Sequence, residues 1–300
     1  EVREKYLEPL LDEDPERWRK DVEPLLDQIE AYAIETDFGL NRRRRKLKTP
    51  ANEAERFLRR AQQYQEMGET TQAKPVIMYK VGTTPVARQA AMSHTGSLAG
   101  RHELYSAAVR QAGGIEVGTV SQMIDAAKIL GFSKKRPTNK RVAIVTHTLG
   151  PALIAAQILE TRGAQLPPPA EETSAAIQDM LGMPVEIDIT NPVDLLAQGW
   201  ARPDIFAGAY ELVMKEPQYG SVMIMFSPNY QEEIGGAMPV EAIVEIASKS
   251  DKTVVAVLNS PVCRPPTGRE IMENGGIPVF SSPERAASAL ANTLKLTDVS

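Results

Sequence analysis

RVAIVTHTLGPALIAAQILETRG, Arg141–Gly163, decides the fold. Val142–Val145 are apolar without alternation, which predicts a strand covered on both faces rather than one with a wet side. Pro151 follows where a first helical turn tolerates a missing N–H. The apolar run from Ala152 to Leu159 then predicts a helix that stops at Gly163. A buried strand running straight into a helix is half of a βαβ unit, and the rest of the chain repeats it.

Downstream, ETSAAIQDMLG, PDIFAGAYELVMKE, PVEAIVEIASKS, TGREIMENGG and PERAASALANTLKL predict helices, and GSVMIMFSP, KTVVAVLNS and IPVFSS predict strands. NPVD, Asn191–Asp194, reads as a turn with Asp194 as a cap. Upstream, KPVIMYKVG predicts a buried strand ending at Gly82, GIEVG a short strand, and RHELYSAAVRQAGG and SQMIDAAKILG helices, the last capped by Ser121. IEAYAIET, Ile29–Thr36, predicts a further strand, and Asn52–Gly68 an amphipathic helix. Ser133–Lys140 has the polar, proline-containing character of a linker. The expected fold class is therefore α/β: two tandem doubly wound parallel-sheet, flavodoxin-like domains. Residues 1–27 form a helical lead-in or linker, 28–135 the first domain and 136–300 the second.

The totals narrow the function. The chain has 300 residues, net charge −5 and pI near 5.5, so it lacks the basic excess of a nucleic-acid binder. The single cysteine, Cys263, allows neither an intrachain disulfide framework nor a CxxC metal site, and a reducing, cytoplasmic setting is expected. No apolar run reaches the roughly 20 residues of a membrane span. A signal peptide is not expected from the charged start, and a start at Glu1 reads as a piece of a longer protein. NRRRRK, Asn41–Lys46, reads first as a solvated loop.

Ligands of such sheets sit at the carboxyl ends of the strands. AAMSHTGSLAG, Ala90–Gly100, is expected to be a loop there, leading into a helix. His94 lies between Ser93 and Thr95; Gly96 lets backbone approach closely, and Ser97 adds a hydroxyl. A helix N-terminus beside an imidazole can hold an anion, and an imidazole can carry a phosphoryl group. Local sequence leaves a plainer role open, with His94 only capping the helix. THTLGPAL, Thr146–Leu153, offers a second strand-to-helix mouth through Thr148 and Gly150. His102, inside a helix beside Glu103, reads as a surface residue, and His147 as a ligand contact or a helix-entry hydrogen bond.

These residues resemble a known family. Lys74-Pro75, Lys80-Val81-Gly82 and the block Ser93–Gly100 are similar to the phosphohistidine segment of the NDP-forming acyl-CoA synthetases. That family includes the ADP-forming acetyl-CoA synthetases and is related to succinyl-CoA synthetase. RVAIVTHTLGPALIAA, NPVDLL and GIPVFSSPERAASAL resemble its later elements, so the likeness spans roughly residues 28–297. It implies a succinyl-CoA synthetase-like fold and an acid–thiol ligase interconverting acyl-CoA, ADP and phosphate with carboxylic acid, ATP and CoA.

By resemblance His94 is the phosphorylated residue, and Glu35, in YAIETD, orients its imidazole. Ser93, Thr95, Gly96, Ser97, Thr148 and Gly150 then shape the phosphate-binding site, without a metal ligand among them. CoA and ATP or ADP with Mg are the implied co-substrates. The resemblance implies a CoA-binding Rossmann domain and an ATP-grasp domain as partners beyond this sequence, with a small carboxylic acid as substrate. It also allows a homodimer. His147-Thr148-Leu149 stands where relatives carry Asn, a small residue and Gly. The alternative is a non-catalytic module that senses acyl-CoA for an acyltransferase, or an assembly scaffold.

Overall fold

The computed structural model describes residues 75–95, 102–183, 187–226, 239–258 and 268–299. The lead-in 1–27, the strand expected at Ile29–Thr36 with Glu35, the arginine run, the helix expected at Asn52–Gly68, and Gly96, Ser97 and Cys263 lie outside the described residues. The chain divides into two compact units after Gly118.

In the first unit, strand β1 (Ile77–Tyr79) leads to helix α1 (Pro85–Thr95), then α2 (His102–Gln111) and strand β2 (Ile115–Val117). The strands are parallel, with Ile77 opposite Ile115 and Tyr79 opposite Val117. β1 is half-buried along its length rather than buried as expected. Gly114 closes α2 onto β2: a Cβ there would lie 2.8 Å from a Val109 methyl.

The second unit opens with helix α3 (Val120–Phe132). Strand β3 (Val142–Thr146) and helices α4 (Leu149–Thr161) and α5 (Glu171–Leu181) follow. Strand β4 (Val193–Asp194) precedes helices α6 (Leu196–Ala201) and α7 (Pro203–Lys215). Strand β5 (Ser221–Phe226), helix α8 (Val240–Ser248), strand β6 (Thr253–Leu258) and helix α9 (Arg269–Asn274) come next. Strand β7 (Val279–Phe280) and helix α10 (Pro283–Leu294) close the unit. The sheet runs β4-β3-β5-β6-β7, with every paired strand parallel. This is the doubly wound order, with its switch point between β3 and β5.

Successive strand residues feed opposite layers. Ala143, Val145, Val222, Ile224, Val254 and Ala256 pack with Ile177, Phe206, Tyr210 and Ile243 on one side. Val142, Ile144, Met223, Met225, Val255 and Val257 pack with Ala155, Leu159, Ala287 and Leu290 on the other. Both faces are buried, so the strands read as continuous apolar runs.

Three sequence expectations change. Thr119, not Ser121, caps α3: its hydroxyl accepts the Gln122 N–H at 3.1 Å. NPVD is more than a turn. It contains a cis Asn191–Pro192 bond, and Val193–Asp194 join the sheet as β4. Ser133–Lys140 is bound to the second unit: the Thr253 hydroxyl donates to the Lys135 carbonyl at 3.2 Å, and the Asn139 amide to the Gln218 carbonyl at 3.2 Å.

Helix α3 packs on α10, so it groups with the second unit, whereas the sequence reading placed it before a boundary at 135/136. Its anchor is Asp125, 4% exposed, held in bidentate fashion by Arg285 at 2.9 and 2.6 Å. Ser282 caps α10 by accepting the Arg285 N–H at 3.3 Å, which sets the arginine in place. Arg285→Met leaves a buried carboxylate without its fork, and since the arginine is half-exposed the cost is about 2 kcal/mol. Urea melts of the variant check this; an unchanged midpoint contradicts it.

Candidate functional site

The switch point of the second unit is built around Thr146. This buried hydroxyl, at the end of β3, accepts the Thr148 N–H at 2.9 Å and lies 3.2 Å from the Thr148 hydroxyl. The tight turn so formed aims the chain into α4. Thr148 is the N-cap residue but makes no side-chain cap bond. Leu149 and Gly150 occupy the first turn, where N–H groups have no intrahelical acceptor. A Cβ on Gly150 would meet nothing within 4 Å, so the space beside this first turn is open. The turn places Thr148 and Gly150 at a helix N-terminus, whose N–H groups can in general receive an anion.

His147 forms the floor beside it. It is half-buried, its ring edge-on to Phe206 at 5.9 Å, and Gly199 packs against it so closely that an added Cβ would lie 3.2 Å from His147 Cβ. Burial pushes the imidazole below its usual value, opposed by the Gly199 backbone hydrogen bond and the Asp194 charge. The folded state thus favours the neutral ring. The unfolded chain binds the extra proton first, so stability contributed by His147 is full above pH 6.5 and is lost as pH falls below it. Melting curves across that range are expected to show this slope, and His147→Asn to remove it.

In the first unit, Ser93, His94 and Thr95 form the last turn of α1, and Ser93 is exposed. The loop expected from Ala90 therefore gives way to helix through Thr95, because the Ala-, Gln-, Arg- and Met-containing run before it favours helix and the first breaker is Gly96. Glu35, Gly96 and Ser97 lie outside the described residues, so of the expected first-unit site residues only the His94 turn is placed.

The first unit has a cavity of about 560 Å3 at the carboxyl ends of β1 and β2. Lys80, Thr83, Thr84, His102 and Glu116 line it. His102 opens α2 here, its side chain partly exposed as expected, with Nδ1 3.5 Å from a Glu116 carboxylate oxygen. Glu116 also accepts the Ser106 hydroxyl at 2.6 Å. Sequence reasoning passed over Glu116; the signal was a charge in the middle of a three-residue apolar strand. Among the described residues no group of three or more His, Cys, Asp or Glu could hold a metal ion, and no helix is long and apolar enough to cross a membrane.

The geometry defines a tandem α/β protein of parallel sheets flanked by helices. Residues 51–130 match the family model described as succinyl-CoA ligase like flavodoxin domain. Over 230 residues, 75% of the chain, the sequence is 34% identical to 4-hydroxybutyrate–CoA ligase [ADP-forming] of Nitrosopumilus maritimus, of which it covers 31%. Over 226 residues, 73% of the chain, it is 31% identical to the acetate–CoA ligase [ADP-forming] II subunit alpha of Pyrococcus furiosus, covering 47% of it. The chain thus spans less than half the length of these relatives. A solved structure of Ca. Korarchaeum cryptofilum dinucleotide forming acetyl-coenzyme A synthetase 1, in complex with phosphate and ADP, superposes with a TM-score of 0.67. That alignment is at 22% identity and covers 83% of this chain and 51% of that one, a likeness of fold. These likenesses support a member of the NDP-forming acyl-CoA synthetase family.

Proposed function

We propose that this chain supplies the two flavodoxin-like domains of an ADP-forming acid–thiol ligase and carries its phosphohistidine at His94. One observation carries the reading: the segment matching the succinyl-CoA ligase like flavodoxin domain contains SHTGSLAG whole. In the proposed cycle, phosphate attacks the acyl-CoA thioester, its oxygen bonding to the carbonyl carbon while the C–S bond breaks and the thiolate takes a proton. An imidazole nitrogen of His94 then attacks the phosphorus of the acyl phosphate, and the carboxylate leaves. Finally a terminal oxygen of ADP takes the phosphoryl group, regenerating the imidazole and forming ATP.

Within that cycle Glu35 orients the imidazole through its far nitrogen and favours the charged ring. Ser93, Thr95, Gly96 and Ser97 shape the carrier segment, and Thr148 with the N–H groups of Leu149 and Gly150 receives the phosphoryl oxygens. Mg accompanies the nucleotide. CoA and nucleotide are held by a Rossmann domain and an ATP-grasp domain outside this sequence, the acid is small, and the reaction takes place in the cytoplasm.

The test joins the chain to those two domains and supplies acyl-CoA, ADP–Mg and phosphate. Thioester-dependent ATP formation supports the ligase. Tight acyl-CoA binding without ATP formation, in folded protein that binds ADP, overturns it in favour of an acyl-CoA sensor.

A further inference from the structure

Lys80 is the first residue beyond β1, and it lines the first-unit cavity. Its ammonium donates to the Val81 carbonyl at 3.0 Å and lies 4.7 Å from the centre of the Tyr105 ring. Neither contact supplies a counter-charge, and among the described residues no carboxylate pairs with it. Other lysines are engaged differently: Lys128 meets Glu273 at 2.7 Å, Lys215 meets Glu211 at 2.8 Å and Lys249 meets Glu245 at 2.6 Å. Among the described residues burial lowers the proton affinity of Lys80 and of Lys252, but at Lys252 the Asp251 and Glu216 charges oppose it. Lys80 thus combines a place in a cavity with the absence of an ion pair.

We propose that Lys80 is an acylation site, its Nζ taking a small acyl group from an acyl phosphate bound in this cavity. The donor is the mixed anhydride of the proposed cycle, so its supply, though not the reactivity of the site, rests on the ligase reading. In the reaction the lone pair of the neutral amine bonds to the carbonyl carbon, and the bond from that carbon to the phosphate oxygen breaks. Inorganic phosphate leaves, and the nitrogen gives a proton to water, which leaves a neutral amide. Only the neutral amine has a lone pair to give, and burial enlarges its share. The surroundings suit this donor. Val81, Ala87 and Val117 offer apolar atoms to a short acyl chain, and Thr83 and Thr84 bring hydroxyls within the same cavity. The Thr84 hydroxyl accepts the Ala87 N–H at 3.3 Å, which leaves its own proton for a phosphate oxygen. About 560 Å3 is the size of a small-molecule site, whereas an acyl-CoA would keep its nucleotide end outside. Ala87 lines the cavity while His94 lies seven residues further along α1, about 10 Å on, so the site is separate from the proposed phosphoryl carrier.

The experiment incubates the 300-residue chain with acetyl phosphate at mildly alkaline pH and follows acetylation of each lysine by mass spectrometry of its peptides. Two lysines outside this cavity serve as comparators, Lys134, which is exposed, and Lys252, which is half-buried. Acetyl-Lys80 is expected to form about tenfold or more faster than either. Acetylation also removes the charge beside Tyr105, so the Tyr105 ring signals should move in NMR as the reaction proceeds. In Lys80→Arg, which keeps the charge without the amine, those signals should stay still. His94→Asn should acetylate at Lys80 as the wild type does. Phosphoryl transfer to His94 would break the P–O bond and leave phosphate rather than acetyl on the chain, so the two readings fail separately. Acetylation of Lys80 no faster than that of Lys134 overturns the site. Faster acetylation of Lys80 by acetyl-CoA than by acetyl phosphate at equal concentration overturns the donor.

Discussion

His94→Asn is expected to lower turnover of the assembled ligase by about a thousandfold or more, because in the proposed cycle every phosphoryl group passes through the nucleophile that the variant removes. The loss should fall on kcat with little change in the KM for acyl-CoA. Acyl phosphate forms before the histidine acts, so the variant should still catalyse phosphate-dependent cleavage of the thioester to an acyl phosphate, in a single turnover. Rapid-quench measurement of acyl phosphate and ATP separates the two steps. A variant that makes ATP at the normal rate contradicts the assignment.

Asn191→Ala is expected to produce the largest loss of stability at the second mouth. The Asn191 side chain stands in for a strand residue beside β3. Its oxygen accepts the Ile144 N–H at 3.0 Å, and its amide donates to the Val142 carbonyl at 2.8 Å and the Pro167 carbonyl at 3.0 Å. The third bond, to Pro167, ties in the segment before α5. Alanine removes all three and strands the N–H of Ile144, a fully buried residue. At about 1 kcal/mol per bond, the loss is about 3 kcal/mol. For a domain of this size that lowers Tm by roughly 6–12 °C. Calorimetry checks it, and a shift under about 2 °C contradicts the strand-mimic role. The effect should reach the site, because β4 is anchored next to Asn191 and Asp194 pairs with Thr146. Leu196, at φ 52°, has its N–H held by the Asp194 carboxylate at 3.0 Å, so a shifted β4 would also disturb the α6 turn under His147.

These particulars show where sequence reading succeeds and where it stops. The strands β3, β5 and β6 were legible because each is buried on both faces, and an unbroken run such as VAIVT has few other uses. The strand-to-helix turn at Thr146–Thr148 was legible for the same reason: strand, hydroxyl-rich turn and Pro151 stand side by side in the sequence. Asn191 was harder. Its partners at Val142, Ile144 and Pro167 are 24–49 residues away, and a polar side chain taking the place of a strand leaves no periodic signal. The Asp125–Arg285 clamp, 160 residues apart, leaves none either. Yet it is what groups α3 with the second unit.

The first unit repeats the lesson at shorter range. His102 reads from sequence as a surface residue of a helix, and its side chain is indeed 41% exposed. Its neighbour Glu116, brought opposite by the turn from α2 to β2, is what the sequence does not show. The His94 segment differed for a local reason, since helix formers before Gly96 extend α1 to the threonine after His94.

The central claim is that His94 carries the phosphoryl group, and the most direct test is to find that group. The chain is combined with its nucleotide-binding domain and Mg–ATP labelled in the γ-phosphate, and the intact protein is then examined for label. The account predicts label on the wild-type chain that is lost in acid, survives base and maps to His94, and no label on His94→Asn. Label on both chains, or on neither while ATP is bound, would contradict it.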